Sequence, residues 1–319
     1  MSKKLIAIAA AAALALTGLV ATTPANASYT FGVTVVGENS GDNGLTADTP
    51  AVIWVPSQDT LRYQSTNTIS ASVVRLDVQA NTTSSAVRVT VSGGVKVMTE
   101  ANYSVTANRK TASGVTTLDL TSSATDGTVG FYAFNTSTTA GTVVVAQGGN
   151  SRTVYIKGAN AAGYAYNLNF TVESTGDVSD EVILTGTATD AFGNVITGAA
   201  NLAALGASAT YFGAATGASS TTDGVWTEST TTPGTYTFGA LTSATAGTGV
   251  VGMKFTTAPT KITALGTPKD SVLLTFSTAS IADQLAAVKV QVAALTTDYN
   301  TLAKKYNKLV KKSKRVALK

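Results

Sequence analysis

Residues Tyr166–Glu173 read YNLNFTVE. Leu168, Phe170 and Val172 alternate with Asn167, Asn169, Thr171 and Glu173, the period of two that belongs to a strand with one face in a core and one in water. Such alternation predicts an antiparallel sheet, because strands of parallel sheets are apolar on both faces. The same theme runs outward from Tyr29 to Ser277 as short β-branched and aromatic runs broken by Gly, Asn, Asp and Ser. In TISASVVRLDVQ (68–79), Ile69, Ala71 and Val73 hold one phase and Val74, Leu76 and Val78 the other, which predicts a bulge or bend at Val73-Val74. AQGGNSR (146–152) reads as a hairpin, and ATDGTV (124–129), TTDGVW (221–226) and TTPGTY (231–236) read as corners. Near Leu202–Leu205 the pattern fits one helical turn or a connecting loop equally. Many short strands so spaced predict an all-β chain of two Ig-like antiparallel sandwiches, residues 28–160 and 161–279, joined through KGANAAGYA (157–165).

The N-terminus combines Lys3 and Lys4, an apolar run from Leu5 to Val20, and Ala25-Asn26-Ala27 ahead of Ser28. This is the layout of a secretory signal peptide over residues 1–27, and the run is too short to favour a membrane helix. Export to the cell surface or wall is therefore expected. The chain has no His and no Cys. That removes the usual triads, thiol nucleophiles, disulfides and imidazole or thiolate metal sites, so no enzyme is expected.

The most specific stretch is EVILTGTATDAFGNVITGA (181–199), followed by DGVWTESTTTPGTYTFGALTSATAGTGVVGMKF (223–255). Asp190 and Asn194 flanking Gly193 suit a tight turn whose side chains cap backbone amides, and Tyr236 and Phe238 alternate inward. Together these motifs resemble the bacterial Ig-like domains of invasin-type surface proteins over about residues 165–278. Val195 stands where that family often has a proline after its Gly-Asn pair. The resemblance implies an Ig-like sandwich displayed outside the cell.

No catalytic constellation is present, and the acids are scattered. The densest group, Glu173, Asp177, Asp180 and Glu181, with Asp190 as a spatial neighbour, is a candidate structural calcium site. The competing reading is a solvated loop that keeps an edge strand soluble. Glu38, Asp42, Asn43 and Asp48 raise the same idea without EF-hand spacing. Apart from that possible calcium, no cofactor is expected. Trp54, Tyr63, Tyr164, Tyr166 and Trp226 could form a carbohydrate platform or serve as core, and Asn81, Asn102, Asn135 and Asn169 each begin a glycosylation sequon.

Residues 280–319 differ from everything before them. Ile281, Leu285, Val288, Val292, Leu295, Tyr299, Leu302, Tyr306 and Leu309 alternate steps of four and three, a heptad seam. Ser280 can cap the helix with Asp283 in its first turn. The narrow seam suits another helix, so homo-oligomerisation through a coiled coil is expected; folding back onto the β-body is the alternative. The flanks (Gln284, Gln291 and Asp298; Lys289, Thr296 and Ala303) encode few ion pairs that would fix the oligomer number. From Ile281 onward nine Lys and Arg face two Asp, whereas residues 28–280 hold eleven against sixteen acids. Beyond Leu309, VKKSKRVALK is expected to fray, with Lys311, Lys312, Lys314 and Arg315 meeting an anionic wall polymer or membrane surface. Nucleic acid is not the expected partner of an exported chain, and no Leu-Pro-x-Thr-Gly sorting signal occurs. The whole resembles a surface-layer-type layout: a non-catalytic structural protein that assembles at the cell surface, with an adhesin or carbohydrate-binding module as the alternative.

Overall fold

The computed structural model describes residues 28–38, 43–65, 71–111, 113–160, 165–198, 207–218, 227–255 and 258–318. The expected signal peptide, Ile69, the Leu202–Leu205 turn, Tyr164 and Trp226 lie outside those residues. The chain forms two compact units. One comprises residues up to Asn167 together with Ala188–Ile196 and Thr257–Asp270; the other holds Leu168–Thr187, Thr197–Thr256 and Ser271 onward.

The first sandwich contains β1 (Gly32–Val36), β2 (Ala51–Trp54), β3 (Val74–Gln79), β4 (Ala86–Val91), β5 (Val95–Thr99), β6 (Thr117–Thr121), β7 (Thr128–Asn135), β8 (Gly141–Gln147) and β9 (Asn150–Ala159). They form two sheets, ordered β1-β3-β7-β5 and β2-β9-β8-β4-β6. Between the sheets Val74, Leu76, Val78, Phe131 and Ala133 meet Val87, Val89, Val143, Val145, Val154 and Ile156 in one buried cluster. Each of the Val, Leu, Ile and Phe side chains contributes roughly 1.5–3 kcal/mol by leaving water.

The second sandwich contains β10 (Asn167–Val172), β11 (Thr175–Asp177), β12 (Glu181–Thr189), β13 (Ala207–Gly213), β14 (Ala215–Ala218), β15 (Thr227–Glu228), β16 (Thr235–Thr242), β17 (Gly247–Phe255) and β18 (Ser271–Ala279). Its sheets run β10-β12-β16-β14, with β15 also on β16, and β11-β18-β17-β13. Adding nine to each label of β1-β3-β7-β5 and β2-β9-β8-β4 reproduces both orders. The two domains thus share one topology although no repeat is visible in the sequence. It is the Ig arrangement, four strands against a second sheet built on the last strands. In each domain an early short strand also pairs in parallel with the last: Ala51 opposite Ile156 in one, Thr175 opposite Ser277 in the other.

Local chemistry explains the elements. Leu168 and Phe170 are buried while Asn169 and Thr171 are exposed, as the alternation in 166–173 requires. Val73 and Val74 are adjacent yet both fully buried, and the regular ladder breaks between them: Val73 forms an isolated bridge with Tyr63, and β3 begins at Val74. The β8–β9 hairpin closes Gln147 on Asn150 through Gly148-Gly149, with Gly148 at φ 56°, a left-handed conformation that glycine adopts without strain. A five-residue helix, Glu100–Ser104, follows β5 and is too short to show an apolar period in the sequence; Thr99 Oγ1 caps it by accepting the Asn102 N–H at 3.1 Å.

Candidate assembly and attachment site

Only Ser280 separates β18 from a 29-residue helix, Ile281–Leu309. Its N-terminus is a complete capping box. Ser280 Oγ accepts the Asp283 N–H and Asp283 Oδ2 accepts the Ser280 N–H, each at 3.2 Å. The Ser280 side chain and backbone together hold the Asp283 carboxyl below its usual range. Gln284 Nε2 donates to Asp177 Oδ1, tying the first turn to β11.

At 1.5 Å per residue the helix extends about 43 Å. The seam is bare along all of it: exposure runs from 36% at Tyr299 and 51% at Leu285 to 77% at Ile281 and 86% at Leu309. Folding back of the seam onto the β-body is therefore not what this chain does. Among the described residues no helix is long and apolar enough to cross a membrane.

The tail beyond Leu309 corrects the expectation of fraying. Lys312–Lys314 form a 3-10 turn, and the chain then returns along the helix. Asn307 Nδ2 donates to the Val316 carbonyl and Asn307 Oδ1 accepts the Val316 N–H, both at 2.8 Å. Tyr299 Oη donates to the Ala317 carbonyl at 3.2 Å. Ala303, on the same side of the helix, is 3% exposed. A side-chain amide can imitate a backbone peptide in this way, a signal that neither heptads nor charge counts carry.

The acidic group behaves differently from the seam. Among the described residues no three acidic side chains come together as a metal cage, and Glu173, Asp177 and Asp180 are exposed and Glu181 half-buried. Asp177 is engaged by Gln284, and Asp180 Oδ1 accepts the Glu181 N–H at 2.8 Å. Glu173 precedes β11, Asp177 ends it, and Asp180 and Glu181 lead into β12 of the other sheet, so the four acids are spread over two sheets. Asp190 is the buried acid: Oδ1 accepts the N–H groups of Phe192 and Asn194, each at 2.9 Å. Burial pushes its carboxyl above the usual value, against the pull of Asn194 and those N–H groups. Asn194 also bonds Thr136 and Thr138 within the first unit.

No aromatic platform forms among the described candidates. Tyr166 is 4% exposed and its hydroxyl bonds Gly266 and Ile262. Tyr63 meets Tyr132 edge-on at 5.3 Å, and Tyr132 stacks on Tyr103 at 3.9 Å. Asn135, a sequon residue, is fully buried and spends its amide on the Thr139 and Ile156 carbonyls. A cleft of about 550 Å³ does open in the first unit between Phe31–Val33, Leu45, Ser151–Thr153 and Tyr155.

No family model and no curated protein matches the chain. Among solved structures it is similar to InvD of Yersinia pseudotuberculosis, at 20% identity over 72% of this chain and 55% of that one, with a TM-score of 0.34. It is also similar to invasin, a bacterial integrin-binding protein, at 14% identity over 79% of this chain and 40% of that one, TM-score 0.29. Domains 4–9 of the surface layer protein SbsC match at 13% identity over 80% of this chain and 32% of that one, TM-score 0.23. A glycosyl hydrolase family 2 member from Bacteroides cellulosilyticus is matched as well, at a TM-score of 0.25. The chain thus spans about half the length of the first two structures. The sandwich itself is established by this chain's own strand pairing.

Proposed function

We propose that this chain is an exported, non-catalytic structural protein of the cell surface that assembles with copies of itself through its C-terminal helix and attaches to anionic envelope material through its basic end. One observation carries the reading: nine apolar residues at heptad spacing stand exposed along a capped 29-residue helix. Leaving such a seam in water forfeits the burial that a second helix of the same spacing would supply. The two sandwiches supply display area, and the absence of His and Cys fits a scaffold.

Sedimentation of the full chain tests this. The wild type should be oligomeric, and Leu295→Asp with Leu302→Asp should be monomeric with an unchanged β signal. A monomeric wild type at micromolar concentration overturns the assembly reading. The Phe31–Tyr155 cleft favours a second reading, a carbohydrate-binding or adhesive module. Glycan-array binding lost on Tyr155→Ala would support it.

A further inference from the structure

The tip of the helix carries more than charge. Asn307 and Val316 are nine residues apart, yet one side-chain amide pairs with one peptide in both directions and closes the intervening chain into a loop. Within it lie Lys308, Lys311, Lys312, Lys314 and Arg315, all exposed, and no acid. On the loop and its return stand Leu309, Val316 and Leu318, exposed by 86%, 43% and 53%. Extended, the segment would scatter these groups over about 30 Å; closed, it gathers five cations and three apolar side chains at one end of the helix. The partial negative charge of the helix C-terminus opposes an anion there, and five full positive charges outweigh it.

Cations alone would suit any polyanion. Exposed leucine and valine among them suit a surface whose anionic headgroups lie over hydrocarbon, where lysines meet phosphate and short apolar side chains reach the acyl boundary. We infer that the closed tip is a docking surface for a bilayer bearing anionic lipid headgroups, and that Asn307 is its positioning residue. This rests on the reading of the basic end as an attachment element. Pre-organising the loop lowers the entropy lost on docking, so an uncharged residue controls an interaction whose attraction is largely electrostatic.

The experiment is co-sedimentation of the full chain with phosphatidylcholine vesicles, with and without phosphatidylglycerol, compared with binding of soluble polyphosphate. Any contribution of residues 1–27 is common to all variants, so differences report the tip. Phosphatidylglycerol should strengthen binding, and salt should weaken it but leave a remainder that Val316→Ser with Leu318→Ser, both outside the seam, removes. Asn307→Ala, which keeps every charge and favours helix, should bind these vesicles about five- to tenfold more weakly, the range expected for losing a two-bond closure. Tyr299→Phe should show a smaller loss. Wild-type binding by Asn307→Ala overturns the inference. So does binding to polyphosphate as tight as to vesicles with no effect of the Ser substitutions, which would assign the tip to a soluble phosphate polymer. If the wild type binds neither, the attachment reading itself falls.

Discussion

Asn194 holds the Asp190 carboxylate twice: Asn194 Nδ2 donates to Asp190 Oδ2 at 2.8 Å, and the Asn194 backbone N–H donates to Asp190 Oδ1 at 2.9 Å. Gly193 lies between them at φ 86°, which lets the chain reverse tightly enough for both bonds. Asp190 is 1% exposed, and deleting its carboxylate takes the acceptor from two part-buried N–H groups. Asp190→Ala should destabilise the first unit by about 2–4 kcal/mol, read by urea unfolding. A loss below about 0.5 kcal/mol would show that the turn closes without its acid.

Asp59 and Asp190 should answer acid in opposite senses. Lys110, at 2.7 Å, together with Thr263 holds the Asp59 carboxyl below its ordinary 3.8. A depressed carboxyl contributes stability above the unfolded value and loses it as the pH falls through the folded one. Asp190 is raised by burial, so its protonated form is the one folding favours, and that contribution is complete below 3.8 and is lost as the pH rises through its folded value. Asp59→Asn should therefore cost more at about pH 7 than at about pH 3, and Asp190→Asn should do the reverse. Unfolding curves for both variants at the two pH values check the signs.

Burial pushes the Tyr236 hydroxyl up to about 12, with Glu228 adding to the shift. Because the neutral phenol is the favoured folded form, its contribution is complete below the ordinary 10.0 and disappears as the pH rises through about 12. In an alkaline absorbance titration, the wild type minus Tyr236→Phe difference should show one phenol ionising last. A difference curve centred near 10 would place Tyr236 in contact with water.

Gly249 lies against the ring of Phe276 on the neighbouring strand, where an added Cβ would come within 2.6 Å of Cε2. Gly249→Ala should force the ring from its place and cost about 1–3 kcal/mol. Phe276→Leu should relieve part of that loss in the double variant, and simple additivity in thermal unfolding would argue against the contact.

Local signals were legible wherever one residue decides one geometry. The alternation at Leu168 and Phe170, the Gly148-Gly149 hairpin, the Asp190 turn and the Ser280 cap all read directly, because each is encoded within a few neighbouring positions. The common topology of the two domains was not legible: strand order depends on pairings such as Thr175 with Ser277, about a hundred residues apart. Asp177 is taken up by Gln284 from a distant element, a pairing that a count of acids along the chain does not carry. The tail escaped because a lone Asn307 carries no pattern; its role appears only when Val316 is seen opposite it.

The passage from β18 into the helix through the single residue Ser280 has a rotational meaning. With no slack between ladder and helix, the compass bearing of the seam is geared to the sheet, and Gln284 on Asp177 acts as the detent. One residue inserted after Ser280 would swing the seam by about 100°, whereas seven would bring it back to within about 20°. Copies meeting seam to seam would thus present their second sandwiches at a fixed azimuth, and that azimuth is written in the count of residues between Ala279 and Ile281.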